Sequence, residues 1–198
     1  MSSNTDNAKL LSISHNESTL LNAKLTAEAL FCIISNPSLE QRVRNAVPFA
    51  PNQRMLMDAN NMKLDNPAML QTILYLLLVI PKELQDSNTT FLDKPAFNSV
   101  ALFIIESGTQ STYNNESSNV DIDYYRHLRN AVAHSSCEYT MVNQIQTEPY
   151  IIFTDKNDRT RESCSIRMKC GSVSKLVIEL LNQISAYYDK KISGVNNA

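Results

Sequence analysis

The amino-acid sequence predicts a mainly α-helical single domain with a small β-hairpin before its last helix. Three observations lead there. Glycine and proline are sparse, 3 and 7 in 198 residues, so few positions break a helix. Apolar residues recur at helical spacing through most of the chain. Only the stretch from Tyr139 to Met168 changes to short apolar runs separated by turn residues. A chain of this length can bury a core of its own, and neither an internal repeat nor a linker divides it.

In chain order, residues 1–7 read as a disordered tail. Asn16 to Ser35 carries an apolar stripe with Leu20, Leu21, Leu25, Phe31 and Ile34. Asn36-Pro37 stops it, because the residue before proline avoids helical dihedrals. Ser38 with Gln41 reads as a capping box for a short helix to Val47. Residues 48–66 are rich in Asn and Pro and read as loop with at most one helical turn. Pro67 opens a strongly apolar helix to Ile80; Pro81 interrupts it, and a short helical piece runs on to Asp86. The apolar run Ile73 to Ile80 is far shorter than the ~20 residues of a membrane span and reads as core.

Asp93-Lys94-Pro95 starts another helix, with Phe97, Val100, Ala101, Phe103 and Ile104, that ends near Gly108. Thr109 to Asn119 is polar and reads as surface loop. Asp121 or Asp123 caps a helix that runs to about Ser135. Tyr139, Met141, Ile145, Tyr150 to Phe153 and Cys164 to Met168 read as short strands. Asp155-Lys156-Asn157-Asp158 reads as the turn between the last two. Gly171 to Ser174 leads into a last amphipathic helix, Lys175 to about Lys190.

The formal net charge of −2 leaves no global basic field for nucleic acid, so any RNA contact must come from a local patch. Cys32, Cys137, Cys164 and Cys170 match neither a Cys-x-x-Cys zinc pattern nor the framework of a small secreted domain. Carboxylates are not clustered at metal-ligand spacing. No metal and no other cofactor is expected. Met1 to Asp6 lacks the basic start and apolar stretch of a signal peptide. The expected setting is the cytoplasm, with reduced thiols and no membrane contact.

The densest chemistry lies in Tyr125 to Ser135. At about 100° per residue, Tyr125, Leu128 and Val132 share one face, with Ile122 at its edge, and that face must be the core side. Asp123, Arg126, Asn130 and His134 fall on the other side, with His127 near the same stripe. Arg129 stands about 140° from His134 around the helix, so it meets the histidine only through its long side chain, by distortion, or across a dimer. Arg126 sits closer, and geometry alone does not choose between them. Taken by itself such a strip is an ordinary solvated surface or a polar helix–helix contact. A histidine near a helix C-terminus is often only a partner for the helix dipole.

Arg129-Asn130-x-x-x-His134 resembles the signature of the HEPN superfamily, arginine and histidine separated by four to six residues. The motif match covers 125–135, and the architecture fits most of the chain. The resemblance implies a bundle of four to five helices, near 16–35, 67–80, 95–107, 121–135 and 175–190, with the hairpin as a variation. It implies a homodimer around the motif helix and suggests a small plasmid-borne or bacterial subfamily. It puts Arg129 and His134 in a catalytic site, with Asn130 supporting and Arg126 and His127 nearby as supporting or RNA-binding residues.

The chemistry is sensible for RNA. A 2′-hydroxyl attacking the adjacent phosphate needs a base, an acid for the leaving 5′-oxygen, and positive charge on the phosphorane. Histidine exchanges protons near neutrality, and arginine keeps its charge while offering a fork of donors. The resemblance therefore implies a metal-independent endoribonuclease, in a toxin or anti-phage or anti-plasmid role, with RNA as substrate and an antitoxin protein as a partner. The alternative is a non-catalytic HEPN dimer that binds RNA or protein. A third is an unrelated helical protein with a chance motif.

Among the remaining residues, His127 reads as a solvated surface histidine first and a second acid–base group or RNA contact second. His15 has no role. Arg42, Arg44 and Arg54 are candidates for a phosphate rim, though such residues are more often merely solvated. Tyr124, Tyr125 and Tyr139 are candidates for base stacking, with Tyr125 better read as packing.

Overall fold

The computed structural model describes residues 13–48, 50–59, 64, 66–85, 89–111, 116–117, 122–140 and 149–196. Most of these are helical, and a small antiparallel sheet covers one side. The expected tail at 1–7, the strand positions Met141 and Ile145, and the alternative cap Asp121 lie outside the described residues.

Helix α1 (His15–Ser35) opens with a capping box: Ser14 Oγ accepts from the Glu17 amide, and the Glu17 carboxylate accepts from the Ser14 amide at 2.7 Å. Asn36 ends α1 and caps α2 (Pro37–Ala46), its Oδ1 accepting from Ser38 and Leu39 amides at 3.1 Å each. The expected Ser38–Gln41 box is displaced by this arrangement. Pro37 has no amide to cap and holds the first helical position, so the residue before it becomes the cap. Helix α3 (Pro51–Ala59) replaces the expected loop. Its Met55 and Leu56 are exposed, so no apolar stripe announces it.

The rod from Pro67 to Leu84 is α4 (Pro67–Leu74), a π-helical turn (Tyr75–Val79) and α5 (Ile80–Leu84). Pro81 does not interrupt it. The Ile80 amide bonds to the Tyr75 carbonyl, one residue wider than an α-turn, and a widened turn is one of the ways a helix accommodates groups that do not fit its regular ladder. This rod is the one helix long and apolar enough, among the described residues, to pass a length-and-composition test for a membrane span. Leu70, Ile73, Leu74, Leu77 and Leu78 are nonetheless buried. The π turn packs against α1, α7 and α8, which makes the rod the centre of the core.

Asp93 caps α6 (Lys94–Ile104), accepting from the Ala96 amide. Strand β1 (Ser107–Ser111) follows, paired with β5 and with the short β2 (Glu116–Ser117). The end of β1 and the whole of β2 thus stand inside the expected surface loop. Ser-Gly-Thr-Gln-Ser has no apolar alternation and is drawn into the sheet by its pairing with β5. At Gly108 a Cβ would come within 3.2 Å of the Tyr124 ring, so only glycine fits without displacing that side chain.

Helix α7 (Tyr124–Ala133) carries the motif and is capped by Asp123. Strands β3 (Cys137–Thr140), β4 (Tyr150–Asn157) and β5 (Glu162–Lys169) complete a five-stranded antiparallel sheet of order β2-β1-β5-β4-β3. The expected hairpin is therefore the middle of a larger sheet. Its turn is Asp158 to Arg161, not Asp155 to Asp158, because β4 runs on and Asp155 pairs with Cys164. Helix α8 (Cys170–Asn196) leaves β5 directly and buries Val173, Leu176, Val177, Leu180 and Ile184, a helical stripe. It is fastened to α1 at the buried Glu17, which accepts from Lys191 Nζ and from the Tyr187 hydroxyl at 2.7 Å.

Candidate active site

Helix α7 lies across the sheet, against β4 and against the π turn. Its apolar face is the expected one: Ile122, Tyr125, Leu128 and Val132 are buried. Tyr124 is buried as well, so neither it nor Tyr125 is open to a base, while Tyr139 is partly exposed and donates to Gln71.

The polar strip is not a solvated surface. Alternation along β4 points Ile151, Phe153 and Asp155 to one face, and along β5 points Met168, Ile166, Cys164 and Glu162 to the same face. The apolar members bury in the core, and the two carboxylates at the end of the series meet α7. Asp155 Oδ2 accepts from His127 Nδ1 at 2.8 Å and from Asn130 Nδ2 at 3.0 Å. Glu162 accepts from both terminal nitrogens of Arg126, at 2.9 and 2.5 Å, and from Gln110 Nε2 at 2.6 Å. These bonds, Arg126 first, hold the Glu162 carboxyl below its ordinary range against the opposing effect of burial.

His127 is only 1% exposed, which corrects its reading as a surface histidine. Arg126 Nη2 stands 3.0 Å from His127 Nε2. A guanidinium can only donate, so Nε2 accepts and the ring hydrogen sits on Nδ1, facing Asp155. Both ring nitrogens are occupied.

Arg126 is consumed by Glu162 and His127. Arg129 is placed differently: its Nε donates to Asn130 Oδ1 at 3.1 Å and its Nη2 to the same oxygen. Neither arginine is hydrogen-bonded to His134 among the described residues. Arg44 pairs with Asp58 and Arg54 bonds to Asn45, on the α2–α3 surface.

His134 ends α7 and is exposed. Its backbone, φ −95° and ψ 7°, lies in the sparsely populated bridge region. Ser135 follows with φ 53°. The Ser136 amide returns to the Ala131 carbonyl at 2.8 Å and the Ser135 amide to Val132 at 3.2 Å, the paired bonds of a Schellman ending. This reversal leads at once into β3. The register that pairs Cys137 with Phe153 continues through Thr154 N–Ser136 O at 2.9 Å and brings β4 up to the end of α7. His134, Ser135, Ser136, Glu138, Thr154, Asp155 and Lys156 line a cleft of about 470 Å³. Cys137, also in its wall, is a poor nucleophile, since burial pushes its thiol up to about 11.

Asp155, Glu162 and Lys156 were missed in the sequence. The signal was there in Ile151-x-Phe153-x-Asp155 and Glu162-x-Cys164-x-Ile166-x-Met168, two alternating series that each end in a carboxylate.

A family model, HEPN pEK499 p136, matches residues 34–191. The chain belongs to this family. The match spans every element from α2 to most of α8 and includes the motif helix. HEPN domains are often ribonucleases and commonly form dimers and bind RNA. No curated protein and no solved structure matches this chain.

Proposed function

We propose that this HEPN protein is an endoribonuclease that works as a homodimer and cleaves RNA by 2′-hydroxyl transesterification. The observation that carries the reading is the sorting of the polar strip. Arg126 is tied up by Glu162 and His127, and His127 is buried, whereas His134 is exposed in a cleft and Arg129 keeps Nη1 without a partner among the described residues.

In this reading His134 handles the protons, abstracting from the 2′-hydroxyl or protonating the 5′-oxygen as it leaves. A dimer supplies one imidazole for each task. Arg129 places its guanidinium against the phosphate as charge accumulates on the phosphorane. Asn130 holds Arg129 in place. Lys156, exposed in the same cleft as His134, adds charge for a neighbouring phosphate. The products are a 2′,3′-cyclic phosphate and a 5′-hydroxyl, formed by proton transfer and fixed positive charge. The setting we propose is cytoplasmic, as a toxin or defence nuclease restrained by an antitoxin protein.

A second reading, a non-catalytic RNA- or protein-binding dimer, is favoured by Glu138 in the same cleft wall and by the net charge of −2, both unfavourable to a polyanion. The deciding experiment is cleavage of a mixed RNA pool in EDTA by the protein and by His134→Ala. Cleavage by the first alone, with cyclic phosphate ends, supports the nuclease. Absence of cleavage by both supports the binding module, and equal cleavage by both removes His134 from the reaction.

A further inference from the structure

We infer that Asp155 is the positioning residue of this site, and that the β4–β5 hairpin is therefore a working part of it rather than an appendage. The inference rests on the reading of Arg129 and His134 given above. It concerns a residue outside the motif.

One oxygen, Asp155 Oδ2, takes two donors from successive turns of α7: His127 Nδ1 at 2.8 Å and Asn130 Nδ2 at 3.0 Å. The Asn130 amide has only one orientation that suits both of its neighbours. Its NH2 faces a carboxylate, which accepts, and its carbonyl faces the Arg129 guanidinium, which donates. Turning the amide over would set a carbonyl against a carboxylate and two N–H donors against a cation. Asp155 therefore fixes Asn130, and Asn130 fixes Arg129. Arg129 and His134 are not hydrogen-bonded to each other among the described residues, so the hold on Arg129 runs through Asn130 to Asp155.

His127 is the second point of attachment. It is buried and both its nitrogens are engaged, by Asp155 and by Arg126. It has no free atom for a substrate and acts as a peg between helix and strand. Glu162 then anchors Arg126 from the neighbouring strand. The Asp155 side chain is 11% exposed and that of Glu162 is 15% exposed; Asp155 also lines the His134 cleft, with its Oδ2 already engaged by His127 and Asn130. The same hairpin carries Lys156, the cation of the His134 cleft. One short segment thus sets the orientation of Arg129 from behind and the charge of the cleft from in front.

The test compares Asp155→Ala, which removes the acceptor, with Asp155→Asn, whose side-chain oxygen can stand where Oδ2 stands. Kinetics of RNA cleavage and NMR of the Asn130 side-chain amide and His127 ring nitrogens are measured on each. Loss of a group that orients others in a site reduces turnover by about 10- to 100-fold. The expected result for Asp155→Ala is such a fall in kcat with KM changed less than about threefold. The slowly exchanging Asn130 NH2 signals should be lost, and the α7 backbone signals kept. Asp155→Asn should recover most of both, and it serves alone if the alanine variant does not fold, full loss of the Asn130 signals there counting against the inference. A kcat equal to that of the unaltered protein, or a change in KM only, overturns it. If the unaltered protein does not cleave RNA, the nuclease reading fails by itself and the NMR decides: unchanged Asn130 signals in Asp155→Ala overturn the positioning role, and their loss upholds it.

Discussion

Glu17 offers a prediction whose size can be worked from the structure. Burial alone would raise its carboxyl. Bonds from Lys191, the Ser14 amide, the Tyr187 hydroxyl and the Ser14 hydroxyl outweigh that and bring it down to about 2, from an ordinary 4.5. A folded-state value below the unfolded one means the ionised form stabilises the fold. That contribution is complete above about 4.5 and is lost as the pH falls towards about 2. About 2.5 units at ~1.4 kcal/mol each give an upper bound of ~3.4 kcal/mol. The Lys191 side chain is 33% exposed, so solvent screens part of its share, and ~2 kcal/mol is the expected size. The perturbation is Glu17→Gln, which keeps an acceptor and loses the charge. Urea unfolding of both proteins from pH 7 down to pH 2 is the assay. The glutamine variant should be less stable by ~2 kcal/mol at pH 7 and equal to the unaltered protein near pH 2. A difference that stays constant with pH, or one below ~0.5 kcal/mol at pH 7, would refute the reasoning.

Three further outcomes are expected. Ser135→Gly should raise stability by ~0.5–1 kcal/mol in urea unfolding, because glycine holds the left-handed backbone that serine occupies at φ 53°; a loss of stability would count against strain at this turn. Leu128→Ala, at a position with no exposure, should cost ~2–5 kcal/mol, and a loss below ~1 kcal/mol would show that the site collapses around the cavity. Lys156→Met, made in the non-cleaving His134→Ala protein, should reduce the slope of log affinity against log salt for single-stranded RNA by about 0.7. An unchanged slope would remove Lys156 from the RNA path.

The helices were legible where local chemistry and long-range packing agree. Asp93 and Asp123 cap as their types suggest, and Val173 to Ile184 bury as their spacing suggests; in α1 Leu20 and Ile34 bury with Ala23 and Ala27, while Leu25 of the expected stripe is exposed. Elements set by partners alone were not legible. The α3 segment has no apolar stripe, and β1 is a polar strand held by β5. At the site, the helical wheel grouped Arg126, His127, Asn130 and His134 correctly on one side of α7. It could not show that a strand covers most of that side. Asp155-Lys156-Asn157-Asp158 has strong turn chemistry, and only the register with β5 reveals that β4 continues through it. The helical wheel also left Arg126 and Arg129 as rivals. Their partners separate them: Arg126 is taken by Glu162, 36 residues away in sequence, whereas Arg129 bonds to its neighbour Asn130, itself held by Asp155 25 residues on.

The inner face of the hairpin serves two purposes at once. Ile151, Phe153, Ile166 and Met168 belong to the core, and Asp155 and Glu162, on the same two strands, hold the motif helix. The hairpin cannot swing away from the motif helix without opening the hydrophobic interior, so it would give the proposed nuclease no inexpensive off position. A restraining protein would gain more by capping His134 and filling its cleft than by bending the helix that bears it. Restraint of that kind would be stoichiometric in the proposed system, lasting as long as the cover stayed bound.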